Sequence, residues 1–173
     1  NLSGQLLNVF GAPIPNFTLV LQTKETSYYS QRVMGDSSGN FTVDKAPAGE
    51  LSMKTKSNPY YTVEGIQLNA GAEREVPVIL DWGYDAIQGQ VVNEQGYPVA
   101  VRNISLTWSH EQYGIRSTSR RTTSADEQGN FRFTQLGPGR HRLTVNATGY
   151  KPAYVDHDVA LQGSAIEIKL QEK

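Results

Sequence analysis

Three pairs of short, similar segments divide the chain into two copies of one design. Each pair joins a segment of the first half to one of the second half, at a spacing of 85 residues for the first pair and 90 for the other two. The paired segments are 2–6 with 87–91, 36–41 with 126–131, and 46–49 with 136–139. A repeat of this length is a duplicated small domain rather than a solenoid of units of about 20–50 residues. We therefore predict two modules, at residues 1–81 and 86–173, joined by a short aromatic linker at 82–85.

Apolar and polar residues alternate along most of the chain, which is the pattern of half-buried β-strands. In the clearest case Ile166, Ile168 and Leu170 fall on one face, while Glu167 and Lys169 fall on the other. Turn-forming segments rich in Asp, Gly and Pro separate these strands. About seven short strands per copy, with turns between them, predict an all-β fold of two tandem seven-stranded antiparallel β-sandwiches of the prealbumin-like kind.

Two details of the strand pattern carry further expectations. Pro77 falls inside the last strand of the first copy, and because proline has no N–H to donate, we predict that this strand lies at the edge of a sheet. The sixth strand of the second copy is predicted over 153–161.

The composition restricts the partners and chemistry available to the chain. The 173 residues carry a net charge of −1 and no cysteine. Bulk attraction to nucleic acid is therefore not expected, and disulfides and thiolate sites are excluded. No segment approaches the roughly 18 apolar residues of a membrane-spanning helix, so we predict a protein that does not span a membrane. No signal peptide is recognisable at Asn1, so we expect a processed protein or a fragment of a longer one.

The polar residues do not show the spacings that metal sites and catalysis require. Asp156, His157 and Asp158 form the most compact group, but alternation along a strand sends His157 to the face opposite the two carboxylates. The acidic loops at 36–39 and 126–129 hold too few carboxylates for calcium and fit hairpin turns instead. The serines lack a nucleophile-elbow motif. We therefore predict no catalytic residue, no metal site and no cofactor.

Arginines of the second copy are the first candidate contacts for a ligand or partner. Arg116 and Arg120 share one face of a predicted strand, and Arg140 begins another. If both strands lie on the same side, the three guanidinium groups would form a patch for an anionic glycan, a phosphate or an acidic protein. The alternative is a solvated sheet face whose charges are balanced by neighbouring carboxylates.

Aromatic residues are the second group of candidate contacts. In a regular strand, each of the adjacent tyrosine pairs at 28–29 and 60–61 must place one ring outward. We take Tyr28 and Tyr61 as the outward rings, which would be able to stack on a sugar. Trp82 and Tyr84 lie in the linker, and we predict that they pack between the two modules.

The motifs of the second copy resemble those of the carboxypeptidase regulatory-like domain, a transthyretin-like β-sandwich that is also similar to Cna B-type modules. The matching segments are 89–99, 101–106, 126–131, 136–139 and 149–150, with Asn93 in place of the first Asp of the pattern. The first copy matches less fully and has Asn58-Pro59-Tyr60 in place of the terminal Gly-Tyr. Every matched residue belongs to a turn or to the core, so the resemblance is specific for fold rather than for function.

The resemblance implies an accessory module placed outside the cytoplasm, in a secreted, periplasmic or cell-surface protein. Its expected function is a non-catalytic spacer or protein-docking segment of a larger protein, with protein partners or neighbouring domains of the parent chain. The alternative is a carbohydrate-binding module that uses exposed tyrosines and the arginine face to hold a polysaccharide. Transthyretin-like hydrolases end in Tyr-Arg-Gly-Ser, whereas this chain ends in Leu170–Lys173, so an enzyme is disfavoured.

Overall fold

A computed structural model describes residues 1–25 and 29–173, and these residues are predominantly β-strand. The predicted all-β class is thereby confirmed. The chain forms two compact units, the first comprising residues 1–81 and 109–119 and the second residues 82–108 and 120–173. The predicted module limits of 1–81, 82–85 and 86–173 stay a prediction.

The first unit is built from two sheets. Its strands from the first half of the chain are β1 (Leu2–Leu7), β2 (Thr18–Thr23), β3 (Ser30–Met34), β4 (Asn40–Val43), β5 (Gly49–Lys54), β6 (Tyr60–Leu68) and β7 (Arg74–Ile79). One sheet has the order β4-β1-β7, and the other runs β6-β5-β2-β3. The neighbour of β6 on its other side is β10 (Ile115–Ala125), of which residues up to Ser119 belong to this unit.

The second unit repeats the two-sheet arrangement. Its strands are β8 (Asp85–Val92), β9 (Val101–Gln112), β10, β11 (Asn130–Leu136), β12 (Arg140–Asn146), β13 (Ala153–Asp158) and β14 (Ala165–Lys169). One sheet has the order β11-β8-β14 and the other β13-β12-β9-β10. The tip of the β9–β10 hairpin, residues 109–119, is the part that belongs to the first unit.

Alternation of apolar residues creates the core of each unit, as the sequence predicts. In the first unit, Leu6, Leu21 and Met53 are fully buried. In the second unit, Ile87 and Leu143 are fully buried in the main apolar cluster. Burial of this apolar surface is the principal favourable contribution to folding.

Two strand pairs depart from the predicted antiparallel arrangement. β1 pairs with β7 in parallel, and β8 pairs with β14 in parallel. A tight turn forces consecutive strands to run antiparallel, but the members of each of these pairs are separated by five other strands. Whether the two strands of such a pair run parallel or antiparallel is therefore set by the path of the chain through the intervening strands.

The predicted strand at 153–161 is also shorter than expected. It ends at Asp158, and a four-residue helix, α1 (Val159–Gln162), follows. The Asp158 side chain accepts a hydrogen bond from the backbone N–H of Ala160 at 3.0 Å. This N-cap satisfies a backbone donor at the helix start and favours the helix over continued strand.

The edge position predicted for Pro77 is confirmed. Pro77 lies in β7, which is the outermost strand of its sheet. A proline there removes one ladder donor that a further strand would need. Among the described residues, no helix has the length and apolarity needed to cross a membrane.

Candidate interaction site

An aspartate side chain closes the corresponding turn in each unit, between β3 and β4 in the first and between β10 and β11 in the second. The Asp36 carboxylate accepts backbone N–H groups from Ser38 at 2.8 Å and Asn40 at 2.9 Å. Asp126 accepts from the amides two and four residues later, at 3.0 Å and 2.8 Å. These bonds show that the carboxylate oxygens hold a turn in both acidic loops. The prediction that the two loops are hairpins is wrong, because β3 and β4, and likewise β10 and β11, lie in different sheets, so that each turn connects one sheet to the other.

The bonds to Asp36 predict a specific loss of stability in acid. The backbone N–H groups of Asn40 and Ser38 stabilise the charged carboxylate and lower the pKa of Asp36 below its ordinary value of 3.8. A lowered folded-state pKa contributes stability that is present above the unfolded pKa and is lost as the pH falls through the folded pKa. Between about pH 5 and pH 2, the melting temperature of the protein should therefore fall more than that of Asp36→Asn, which keeps an acceptor oxygen but does not titrate.

Calorimetric scans of both proteins across this pH range measure the difference. Ser37→Asn, in the same loop, is the matched control and should follow the unmodified protein. Parallel curves for Asp36→Asn and the unmodified protein would contradict the prediction.

Asparagine side chains fix a second loop in each unit and present an aromatic ring there. The Asn8 side chain accepts the backbone N–H groups of Phe10 and Ala12 at 2.9 and 3.0 Å. Asn93 holds its own loop in the same way, at 3.0 and 2.9 Å, and that loop carries the exposed Tyr97. The rings of Phe10 and Tyr97 are thus displayed to solvent on hydrogen-bonded loops, which the sequence did not single out.

The prediction that Tyr61 faces outward is wrong. Tyr61 is 2% exposed, and its hydroxyl donates to the backbone carbonyl oxygen of Asp81 at 2.7 Å. Its ring packs edge-on against Phe17, with centroids 5.3 Å apart. Tyr60 takes the outward position instead. The other tyrosine chosen, Tyr28, lies outside the described residues.

The three candidate arginines are exposed, but Arg140 stands opposite a carboxylate. Arg140 pairs across β12 and β13 with Asp158. The next outward pair is Arg142 with Asp156, joined by an ion pair of 2.9 Å. The hydrogen bond to Arg142 lowers the pKa of Asp156, and the same bond raises the pKa of Arg142.

Arginine and aspartate therefore alternate across this face of the second unit. Arg116 belongs to the first unit and Arg120 to the second, and both side chains are exposed. The sequence left open either a cationic patch or a solvated face with balanced charges. The part of the face formed by β12 and β13 has balanced charges. A role of Arg116, Arg120 and Arg140 in binding stays a prediction.

Two histidines lie opposite each other on neighbouring strands, which their spacing in the sequence did not reveal. His141 and His157 are separated by 16 positions but pair directly across β12 and β13, and both are buried. Nδ1 of His141 lies 3.2 Å from the carbonyl oxygen of Gly139, and Nε2 of His157 lies 2.6 Å from that of Gly163. To predict this pair, the register of β12 against β13 would have had to be known. Among residues 1–25 and 29–173, no three His, Asp or Glu side chains are grouped so as to hold a metal ion.

The aromatic residues of the linker contact each other. The rings of Trp82 and Tyr84 have centroids 5.2 Å apart at an interplanar angle of 66°. Tyr84 is 91% exposed. Packing of these two rings between the modules stays a prediction.

A groove follows one side of the second unit where both of its sheets end. It has a volume of about 240 Å³ and lies between the outer strands β13 and β14. Two apolar side chains of β13 that line the groove, Ala153 and Val155, pack against the core but are only partly buried. Lys151, Lys169 and Glu167 also line the groove. This side of the sandwich therefore has both open backbone and incompletely covered apolar surface.

Comparison with known proteins gives one family and several structures. Residues 86–171 match the family model of the carboxypeptidase regulatory-like domain. None of the curated proteins matches the chain.

The solved structures with a similar fold include three pilins. A streptococcal ancillary pilin is 13% identical with a TM-score of 0.42, over 99% of this chain and 62% of its own. The minor pilin of Streptococcus agalactiae is 13% identical with a TM-score of 0.43, over 99% of this chain and 95% of its own. The shaft pilin of Lactobacillus rhamnosus GG is 9% identical with a TM-score of 0.40, over 99% and 97% respectively. The chain thus spans less than two thirds of the first of these pilins.

Proposed function

Because residues 86–171 belong to the carboxypeptidase regulatory-like domain family, we propose that the chain is a non-catalytic spacer and protein-docking segment of a larger protein located outside the cytoplasm. Its two units would be the tandem modules predicted from the repeat. Its partners would be other proteins or neighbouring domains of the parent chain.

The observation that carries this proposal is that the polar groups repeated in both units serve the framework. Asp36 and Asp126 close the turns between β3 and β4 and between β10 and β11, and Asn8 and Asn93 close the loops after β1 and β8. Side chains committed to backbone groups in this way rigidify a fold and leave no reactive group in the repeated motifs. A rigid body with displayed loops and strand edges suits docking by surface contact.

Binding of the chain to immobilised polysaccharides tests the proposed function against its carbohydrate-binding alternative. We expect no saturable binding of the full chain to a panel of insoluble and gel-immobilised polysaccharides that includes peptidoglycan and acidic glycans. A sugar-binding module would instead need an aromatic platform or a cationic face. The amount of protein bound is measured as a function of its concentration.

Tyr60→Ala and Arg120→Ala remove one exposed candidate of each kind. Tyr60 replaces Tyr61 in this experiment because the latter is buried. Thr62→Ala, two residues further along β6, is the matched control. Saturable retention that is lost in Tyr60→Ala or Arg120→Ala but kept in Thr62→Ala would overturn the docking function in favour of a carbohydrate-binding module.

A further inference from the structure

The strand β3 is the outermost strand of the sheet β6-β5-β2-β3 in the first unit, and its edge is open. It pairs with β2 in one uninterrupted register over residues 30–34. Natural edge strands are often blocked by a proline, a bulge or an inward-pointing charge. β7 has Pro77 and β11 has a register shift. β3 has neither, and its inward side chains, Gln31 and Val33, are uncharged.

The backbone of β3 directs hydrogen-bonding groups to its free side at every second residue. Just beyond the strand, the Gly35 N–H donates to the carbonyl oxygen of Phe17, on the β2 side, at 3.0 Å. In an antiparallel pair, residues that make such bonds alternate with residues whose N–H and C=O groups point the other way. The outward-directed groups therefore belong to Ser30, Arg32 and Met34, which are all exposed. An added strand would bind to these groups.

The outer face of the sheet beside this edge carries positive charge. Arg32 lies opposite Val20 of β2, and Val20 in turn lies opposite Lys54 of β5. Arg32 and Lys54 are both exposed. The rows on either side are neutral and consist of Met34 with Thr18, and of Ser30 with Gln22 and Ser52. The row that holds Arg32 thus has two cations and no carboxylate on β3, β2 or β5, all three of which are described in full.

Other exposed cations of the chain do have a carboxylate partner. On the same sheet, Lys24 forms an ion pair of 3.0 Å with Glu50. In the second unit, Arg142 forms one of 2.9 Å with Asp156. Arg32 has Val20 in the corresponding cross-strand position instead. A carboxylate on an incoming strand, opposite Arg32, would provide the opposite charge.

The same arginine argues against a second copy of this chain as the occupant. Arg32 is the central residue of β3. Two copies of β3 that paired antiparallel about their centres would place Arg32 opposite Arg32. Like charges directly opposite each other destabilise a strand pair. The charge therefore favours a different, acidic chain over self-association.

An exposed apolar side chain adds a second requirement. Met34, at the end of β3, is 62% exposed. It lies on the same face as Arg32, because the two residues are two positions apart on a strand. An apolar side chain opposite Met34 would remove apolar surface from water. The outer face of a suitable partner strand therefore carries an apolar residue and, two positions away, an acidic one.

We propose that the free edge of β3 accepts an extended acidic segment of another protein as an added antiparallel strand. This rests on the proposed docking function and names the surface and the kind of partner that it would use. Backbone hydrogen bonds to Ser30, Arg32 and Met34 provide the attachment. A carboxylate opposite Arg32 and an apolar side chain opposite Met34 provide the selectivity.

Two synthetic peptides test the proposal on the full chain. The acidic peptide reads Thr-Glu-Thr-Ile-Thr-Glu-Thr, so that with its isoleucine opposite Met34 a glutamate lies opposite Arg32. The basic peptide has lysine in place of both glutamates. We expect the acidic peptide to bind at least about tenfold more tightly, because charge is the only difference between the two. Fluorescence anisotropy of the labelled peptides measures both affinities.

The position and the mode of binding are tested separately. Binding of the acidic peptide should shift the amide NMR signals of residues 30–34. N-methylation of its glutamate and isoleucine amides should abolish binding, because in an antiparallel addition these N–H groups face β3. N-methylation of the threonine amides at positions three and five, which face away, should preserve it.

Charge reversal on the protein completes the experiment. Arg32→Glu should remove the preference for the acidic peptide. Arg132→Glu, at an exposed arginine of the edge strand β11 in the second unit, is the matched control and should preserve it. Absence of binding by both peptides, equal binding of the two, a preference that survives Arg32→Glu, or shifts confined to another edge would each overturn the proposal. None of these results affects the polysaccharide test, so a failure here is separable from a failure of the docking function.

Discussion

Replacement of Phe131 by alanine should lower the free energy of unfolding of the second unit by about 3–5 kcal/mol. Phe131 is 6% exposed and lies in the main apolar cluster, with its ring centroid 6.2 Å from that of Phe133. A side chain built on Gly89 would come within 2.8 Å of the Phe131 ring, so the absence of one at that position makes room for the phenylalanine. Truncation removes the buried ring and leaves a cavity that a β-sandwich closes incompletely.

Urea unfolding followed by tryptophan fluorescence measures this change. Both tryptophans, Trp82 and Trp108, belong to the second unit, so their emission reports on its unfolding. Phe10→Ala is the matched control, because its ring is 80% exposed and its loss should change the stability by less than about 0.5 kcal/mol. A similar midpoint for Phe131→Ala and the unmodified protein would show that Phe131 does not contribute to the core as described.

Replacement of Gly129 by alanine should destabilise the second unit by about 3 kcal/mol. Gly129 has a φ of 75°, where a side chain is strained. A Cβ at this position would also lie 2.3 Å from the backbone carbonyl oxygen of Val91. That oxygen belongs to the central strand β8, and the Val91 N–H donates to the carbonyl oxygen of Gly129 at 2.8 Å. The clash is between two backbone segments, so a side-chain rotation does not relieve it.

Gly96→Ala separates the cost of the positive φ from the cost of the clash with the Val91 carbonyl oxygen. Gly96 has a φ of 84°, but nothing lies within 4 Å of its would-be Cβ, so only the strain of about 1 kcal/mol should appear. Both glycines are in the second unit and are measured by the same fluorescence transition. Equal losses for Gly129→Ala and Gly96→Ala would mean that the contact with Val91 is unimportant.

These two predictions concern framework residues within the segment 86–171, which matches the family model of the carboxypeptidase regulatory-like domain. The segment 126–131 contains a carboxylate that closes a turn, a glycine in close contact with β8, and a phenylalanine in the core. Each has a structural task. Under the proposed function, specificity resides instead at the strand edges and exposed loops, where substitutions are structurally tolerated.

Several features of the fold follow from the sequence because they depend on neighbouring residues. Asp36 and Asp126 close turns through amides two and four residues away, and Gly129 supplies the left-handed φ that its turn requires. The alternation of Ile166, Ile168 and Leu170 predicts a strand with one buried face. Pro77 predicts an edge strand because proline lacks a donor.

Other features depend on residues that are distant in the sequence, and only the tertiary structure decided them. Alternation required one ring of Tyr60-Tyr61 to face inward but did not say which; the packing of β6 buries Tyr61 and exposes Tyr60. The register of β12 against β13 pairs His141 with His157 and Arg142 with Asp156. β1 runs parallel to β7, and β6 has β10 as its neighbour. Local chemistry thus determined the strands and turns of this protein, whereas register, strand direction and the open edge of β3 arose from long-range pairing, which the local sequence does not encode.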